Sequence, residues 1–151
     1  MSDSSVNLEL AFELIDAGKL NVADSLCKEI AAAEPGNHVA IYLRGLIAYQ
    51  SGDVEGALIM LNEAELLAPE DVSLKKTLAS LLLSAGNLIG AASKYRALAK
   101  RKELTESDAV SLSQLGEGLR QNGNLGGAIE WFQYSLDLQP ANNLAVAGLF
   151  V

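Results

Sequence analysis

At 151 residues, half of them apolar but only 5% aromatic, the chain is long enough for a domain with a sizeable core. Its Leu- and Ala-rich composition favours helices over a β-sandwich or barrel. A formal charge of −8 lacks the basic footprint that a phosphate backbone requires, which excludes a general nucleic-acid binder. The single cysteine, Cys27, excludes an internal disulfide framework.

The charge is uneven along the chain. Residues 1–71 hold 13 acidic against 3 basic residues, whereas residues 72–151 hold 6 against 8. Met1 to Val6 are polar and acidic, without the basic and apolar regions of a secretion signal, and a cytoplasmic location is expected. The apolar run Leu78 to Leu83 is far shorter than the about 20 residues a membrane helix needs, so no membrane insertion is expected.

In chain order, Leu10, Ala11, Leu14 and Ile15 recur at helical spacing and stop at Gly18; Leu20, Ala23, Leu26, Cys27 and Ile30 then form a second helix that ends before Pro35. Cys27 falls where a small core residue is expected. The pattern returns around Gly52, where the second helix carries Val54, Ala57, Met60, Leu61 and Ala64 and ends before Pro69. It returns again at Gly86 and Gly123. The first two glycine intervals are 34 residues and the third is 37, and Ala23, Ala57, Ala91 and Ala128 keep the same register, as do Pro35, Pro69 and Pro140, with Glu103 in place of the missing proline. A fixed period of this length predicts a repeat architecture.

Each unit reads as a helix A before the glycine and an antiparallel helix B after it. Glycine ends helix A because it enters the left-handed region without a Cβ clash. Proline ends helix B because it lacks an N–H and forces its predecessor out of the α region. The periodic alanines predict close approach to helix A, with Ala11, Gly45, Ala79 and Gly116 as matching small contacts. Where the period stretches, helix B of unit three is expected to run on or fray, and Thr105 with Asp108 is placed to cap the next helix. After Pro140, residues 143–151 carry no charge and read as the start of a fifth helix A. Such an end suggests a longer parent protein, or a contact with another chain through Leu149 and Phe150.

No catalytic constellation emerges. His38 stands alone, without a second His or a Cys to complete a ligand set, and the glycines at 116–118 and 123–126 lack a phosphate-loop pattern, so no catalytic residue, cofactor or metal is expected. Lys94, Arg96, Lys100, Arg101 and Lys102 form the one candidate anion patch.

The periodic residues resemble the tetratricopeptide repeat, whose signature is W-x2-L-G-x2-Y, then A-x3-F, then P. Residues Leu112-x2-Leu115-Gly116-x2-Leu119, Ala128-x3-Phe132 and Pro140 follow it most nearly; Ile41-x2-Arg44-Gly45-x2-Ala48, Ala57-x3-Leu61 and Pro69 follow it again. The resemblance spans residues 4–142. It implies an all-α, right-handed α-solenoid of four helical hairpins plus a partial C-terminal helix, forming one domain with repeats at about 4–37, 38–71, 72–105 and 109–142 and a partial helix at 143–151. It also implies a non-catalytic scaffold that binds a peptide or helix of a protein partner on a concave face lined by the A helices. The matching positions are Leu8, Phe12 and Ile15; Tyr42, Leu46 and Tyr49; Lys76, Ser80 and Leu83; and Ser113, Glu117 and Arg120. The basic clamp by which some members hold a partner's terminal carboxylate is not matched, since Leu8, Phe12, Leu43 and Ser73 stand there with Lys76. Two other readings remain: a targeting or regulatory module of a larger enzyme such as a transferase, and a self-assembling array that makes a homo-oligomer through the apolar C-terminal helix.

Overall fold

The computed structural model describes residues 3–149. Among these residues there are nine α-helices, one 3₁₀ turn and no strand. In chain order they are α1 (Asp3–Asp16), α2 (Leu20–Ala33), α3 (His38–Gln50), α4 (Val54–Leu67), α5 (Val72–Ser84), α6 (Leu88–Lys100), the 3₁₀ turn Glu106–Asp108, α7 (Ala109–Gln121), α8 (Leu125–Leu138) and α9 (Asn143–Leu149). The helices fall into two compact units, Met1–Leu74 and Lys75–Val151. The fifth helix A expected at 143–151 is α9 as far as Leu149; Phe150 and Val151 lie outside the described residues.

The periodic glycines take the role their spacing predicts. Gly18, Gly52, Gly86 and Gly123 have φ between 75° and 89°. At each one the helix end is closed by the same two bonds: Gly18 N–H donates to the Ile15 carbonyl at 3.0 Å and Lys19 N–H to the Leu14 carbonyl at 2.8 Å, with equivalent pairs in the other three hairpins. This paired closure satisfies carbonyls that the end of a helix would otherwise leave open. The residue after the glycine then caps the B helix. Asp53, Asn87 and Asn124 accept from the N–H groups of Gly56, Gly90 and Gly127 at 2.8–2.9 Å. Lys19, at the same place in the first hairpin, makes no side-chain cap.

Behind the turns the two helices of a hairpin meet through small residues. Ala11, Ala23, Ala57, Ala79 and Ala91 have no exposed surface. A Cβ on Gly45 would sit 2.9 Å from Leu61 Cγ, and one on Gly116 would sit 3.0 Å from the Phe132 ring and 3.2 Å from the Ala128 carbonyl oxygen. A small residue on helix A is therefore a steric requirement, but its tightest neighbours are the large Leu61 and Phe132 side chains, with the backbone carbonyls of the periodic Ala57 and Ala128 lying farther off. α2, α4 and α8 end at Ala33, Leu67 and Leu138, ahead of Pro35, Pro69 and Pro140, as expected.

The 37-residue interval is resolved differently from the expectation of a helix that runs on or frays. α6 stops at Lys100, and Lys102 takes φ 57°, the one left-handed non-glycine among the described residues. Lys102 N–H donates to the Ala99 carbonyl and Glu103 N–H to the Leu98 carbonyl, which repeats the glycine-type closure at the end of a B helix. The expected cap forms downstream: Asp108 Oδ2 accepts from Thr105 N–H at 2.8 Å and also from Lys76 Nζ at 2.7 Å.

The core of the first unit gathers Ala11, Ile15, Ala23, Cys27, Leu43 and Ile47. In the second unit Trp131 is buried edge-on to Tyr95, 6.5 Å between centroids, and Ala128, Phe132 and Ala145 bring α9 against α8. A buried polar chain ties three helices there. Ser135 Oγ donates to the Ala109 carbonyl at 2.6 Å, meets Ser113 Oγ at 2.7 Å and accepts from Asn142 Nδ2 at 2.9 Å. Every member of this chain finds a partner, so its burial carries no unpaired polar group.

A left-handed lysine is disfavoured by about 1 kcal/mol. Lys102→Gly should stabilise the second unit by about that much, and Gly86→Ala should destabilise it comparably. Denaturant unfolding followed by emission of the single Trp131 measures both; equal midpoints for the two variants would contradict the assignment.

Candidate partner-binding surface

The resemblance implies twelve A-helix residues along one face. In the first unit, α1 and α3 lie side by side. Phe12 is 44% exposed and Tyr49 42%, large values for aromatic side chains. Leu8, Tyr42 and Leu46 are half-buried and rest on the core cluster, so they contribute an apolar flank. Ile15 departs from the expected stripe. It is itself a core residue, 6% exposed, and presents no face to a partner in this structure.

In the second unit, Ser80 is exposed and Leu83 half-buried. Lys76 is engaged by Asp108, so its charge secures the start of α7. Ser113 also departs from the stripe. It is fully buried in the Ser135 chain, because helical spacing alone does not distinguish the face toward solvent from the face toward a neighbouring helix. Glu117 and Arg120 form a fork, with Arg120 Nε to Glu117 Oε2 at 2.8 Å and Nη2 to Oε1 at 2.6 Å, while Gln121 adds a bond to Oε1 at 3.0 Å.

Around Leu83 and Glu117 the second unit has an open cavity of about 300 Å³, to which Leu88, Gln114, Gly118, Gln121 and Leu144 also contribute. Leu88, Gln114 and Gln121 were not singled out in the sequence, and Gly118 was read there only against a phosphate-loop pattern. Gln114 and Gln121 are seven residues apart on one face of α7, a signal visible in the spacing but carried by residue types that say little alone.

The remaining candidates have structural places. Cys27 is buried in the first core, and burial, then the neighbouring Asp24, pushes its thiol up to about 11, which leaves it unreactive at neutral pH. Burial alone would push Asp24 up, but hydrogen bonds from Lys28 and Arg44 prevail and hold it below the ordinary value; the Arg44 bond, 3.1 Å, links α2 to α3. His38 Nε2 lies 3.6 Å from Asp71 Oδ2. Among the described residues no three of His, Cys, Asp and Glu gather as a metal site would require. In the basic cluster, Arg96 stands 5.5 Å over the Trp131 ring and 3.5 Å from Glu130, while Arg101 lies 3.4 Å from Glu103. Much of that charge is therefore engaged within the unit.

The Glu117 fork has a pH signature. The hydrogen bonds from Arg120, then Gln121, lower its pKa from 4.5 to about 2. A lowered folded-state value means the ionised pair favours the fold above pH 4.5, and that contribution fades as the pH falls toward 2. Carboxyl-carbon NMR titration should place the Glu117 midpoint near the lower value in the native chain and return it to the ordinary carboxylate range in Arg120→Gln. An ordinary midpoint in the native chain would contradict the fork.

A family model described as tetratricopeptide repeat matches residues 76–143. No curated protein matches the chain at the significance applied. Among solved structures, a tetratricopeptide repeat protein from Parabacteroides merdae ATCC 43184 is similar at 22% identity and TM-score 0.80, over 99% of this chain and 58% of that one. MamA from Desulfovibrio magneticus RS-1, residues 41 to the end, is similar at 20% identity and TM-score 0.76, over 93% of this chain and 77% of that one. At these identities the likeness concerns the fold. Residues 76–143 thus match the tetratricopeptide repeat, and the chain has an all-α solenoid fold similar to that of these structures.

Proposed function

We propose that the chain is a non-catalytic protein-interaction scaffold, a single repeat domain over residues 1–151 that binds a peptide or helix of a partner along the faces of its A helices. The observation that carries this reading is the pair Phe12 and Tyr49, large aromatic side chains left exposed beside the half-buried Leu8, Tyr42 and Leu46 on adjacent A helices. Exposed apolar surface of this kind marks interaction sites, and aromatic anchors dominate the energetics of such surfaces. A cytoplasmic setting is part of the reading. The lone Cys27 has no cysteine to pair with, and no helix among the described residues is long and apolar enough to cross a membrane.

The clean probe is Tyr49, because Leu46 also supports the core. Proteins retained from lysate by the native chain and identified by mass spectrometry should be retained about 30-fold less by Tyr49→Glu and by Phe12→Glu, corresponding to loss of one aromatic anchor worth about 2 kcal/mol. Helicity by circular dichroism should be unchanged. Equal retention by both variants would sink the assignment of this surface.

A further inference from the structure

The first unit shows what fills the space between successive A helices. Leu43 and Ile47 of α3 are buried there with Ala11, Ile15, Ala23 and Cys27. The offset of 71 residues that carries Gly45 to Gly116 and Gly52 to Gly123 carries Leu43 to Gln114 and Ile47 to Gly118. In the second unit the two aliphatic side chains are thus replaced by the exposed amide of Gln114 and by Gly118, against whose backbone the Leu88 side chain rests. Leu83, which occupies the register of the buried Ile15, is correspondingly only half-buried. The result is the cavity of about 300 Å³, with Leu83, Leu88 and Leu144 as its apolar walls and Gln114, Gln121 and Ser84 at its polar edge.

We propose that this cavity is a docking pocket for one uncharged aliphatic side chain, of leucine or isoleucine type, presented by a partner peptide whose backbone amides meet Gln114 and Gln121. The inference rests on the interaction-scaffold reading and narrows it to one anchor. Three observations select the occupant. The chain's own first unit fills the equivalent space with Leu and Ile. The size is at the small end for ligand sites and suits a side chain with its flanking backbone. The rim has no unbalanced charge: Glu117 is the charged group lining the cavity, and it is held by the Arg120 fork and by Gln121, so a lysine or aspartate anchor would be desolvated without a partner.

The test uses capped amino acids on the full chain. N-acetyl-L-leucinamide, N-acetyl-L-lysinamide and the α-amide of N-acetyl-L-aspartic acid are titrated separately while backbone and glutamine side-chain amide signals are followed by NMR. The leucine probe should shift Gly118, Gln114 and Gln121 saturably and bind about tenfold more tightly than either charged probe. Gly118→Ile and Gln114→Leu, which return the first unit's kind of filling, should each reduce leucine binding about tenfold. Because a Cβ on Gly118 already comes within 3.0 Å of Leu88, native Trp131 emission identifies which filled variant keeps its packing. No localised shift in the native chain, or equal affinity for the three probes, overturns the pocket, as does undiminished leucine binding in a natively packed filled variant. Tyr49-dependent capture is measured independently, so a failed pocket leaves the broader reading standing, and a lost Tyr49 dependence with leucine binding intact removes the broader reading alone.

Discussion

A large side chain of one helix can seat against the backbone of its neighbour only where that neighbour carries a residue with little or no side chain, and Ala11, Gly45, Ala79 and Gly116 place such a residue on the first helix of each hairpin. Gly45 faces Leu61 and Gly116 faces Phe132 at distances that leave no room for one more carbon. The contact then constrains the rest of the hairpin. A tight pair needs a connection that reverses within a few residues, which the left-handed glycines supply, and a definite end to the second helix, which the prolines supply. The proposed partner surface lies on the faces of the A helices that are not used in packing.

The irregular interval shows the same constraint met by other chemistry. Without a proline to stop it, α6 is ended by Lys102 in a conformation that the other closures assign to glycine, and the next helix begins on a cap that also draws in Lys76. Beyond it, the Ser113, Ser135 and Asn142 chain fastens α9 to α7 and α8 through fully bonded polar groups. Within the second unit, then, the buried position of Leu43 is given to the exposed Gln114, while a polar tie is gained near the end of the described chain.

Most of the fold could be read from the sequence because its determinants are local. A glycine past a helix end, an alanine at a crossing and a proline after a helix each act on their own backbone, and repetition made them visible. The surface was less legible. Phe12 and Tyr49 are exposed as expected for a binding face, but Ile15 and Ser113, at matching positions, are buried. Helical spacing places all of these on related faces, and only the neighbouring helix decides which are covered. The left-handed Lys102 could not be read because lysine carries no preference for that conformation, and the exchange of two aliphatic residues for Gln114 and Gly118 becomes evident only against the packed Leu43 and Ile47 of the first unit.

The central claim is that the A-helix faces, and not the B-helix faces, receive the partner. Photo-crosslinking tests it most directly, with a benzoylphenylalanine introduced in turn at Tyr49 on α3 and at Ile89 on α6, both exposed in the free chain. The Tyr49 position should crosslink to one defined partner segment while the Ile89 position yields no specific adduct. A specific adduct at Ile89 with none at Tyr49 would contradict it.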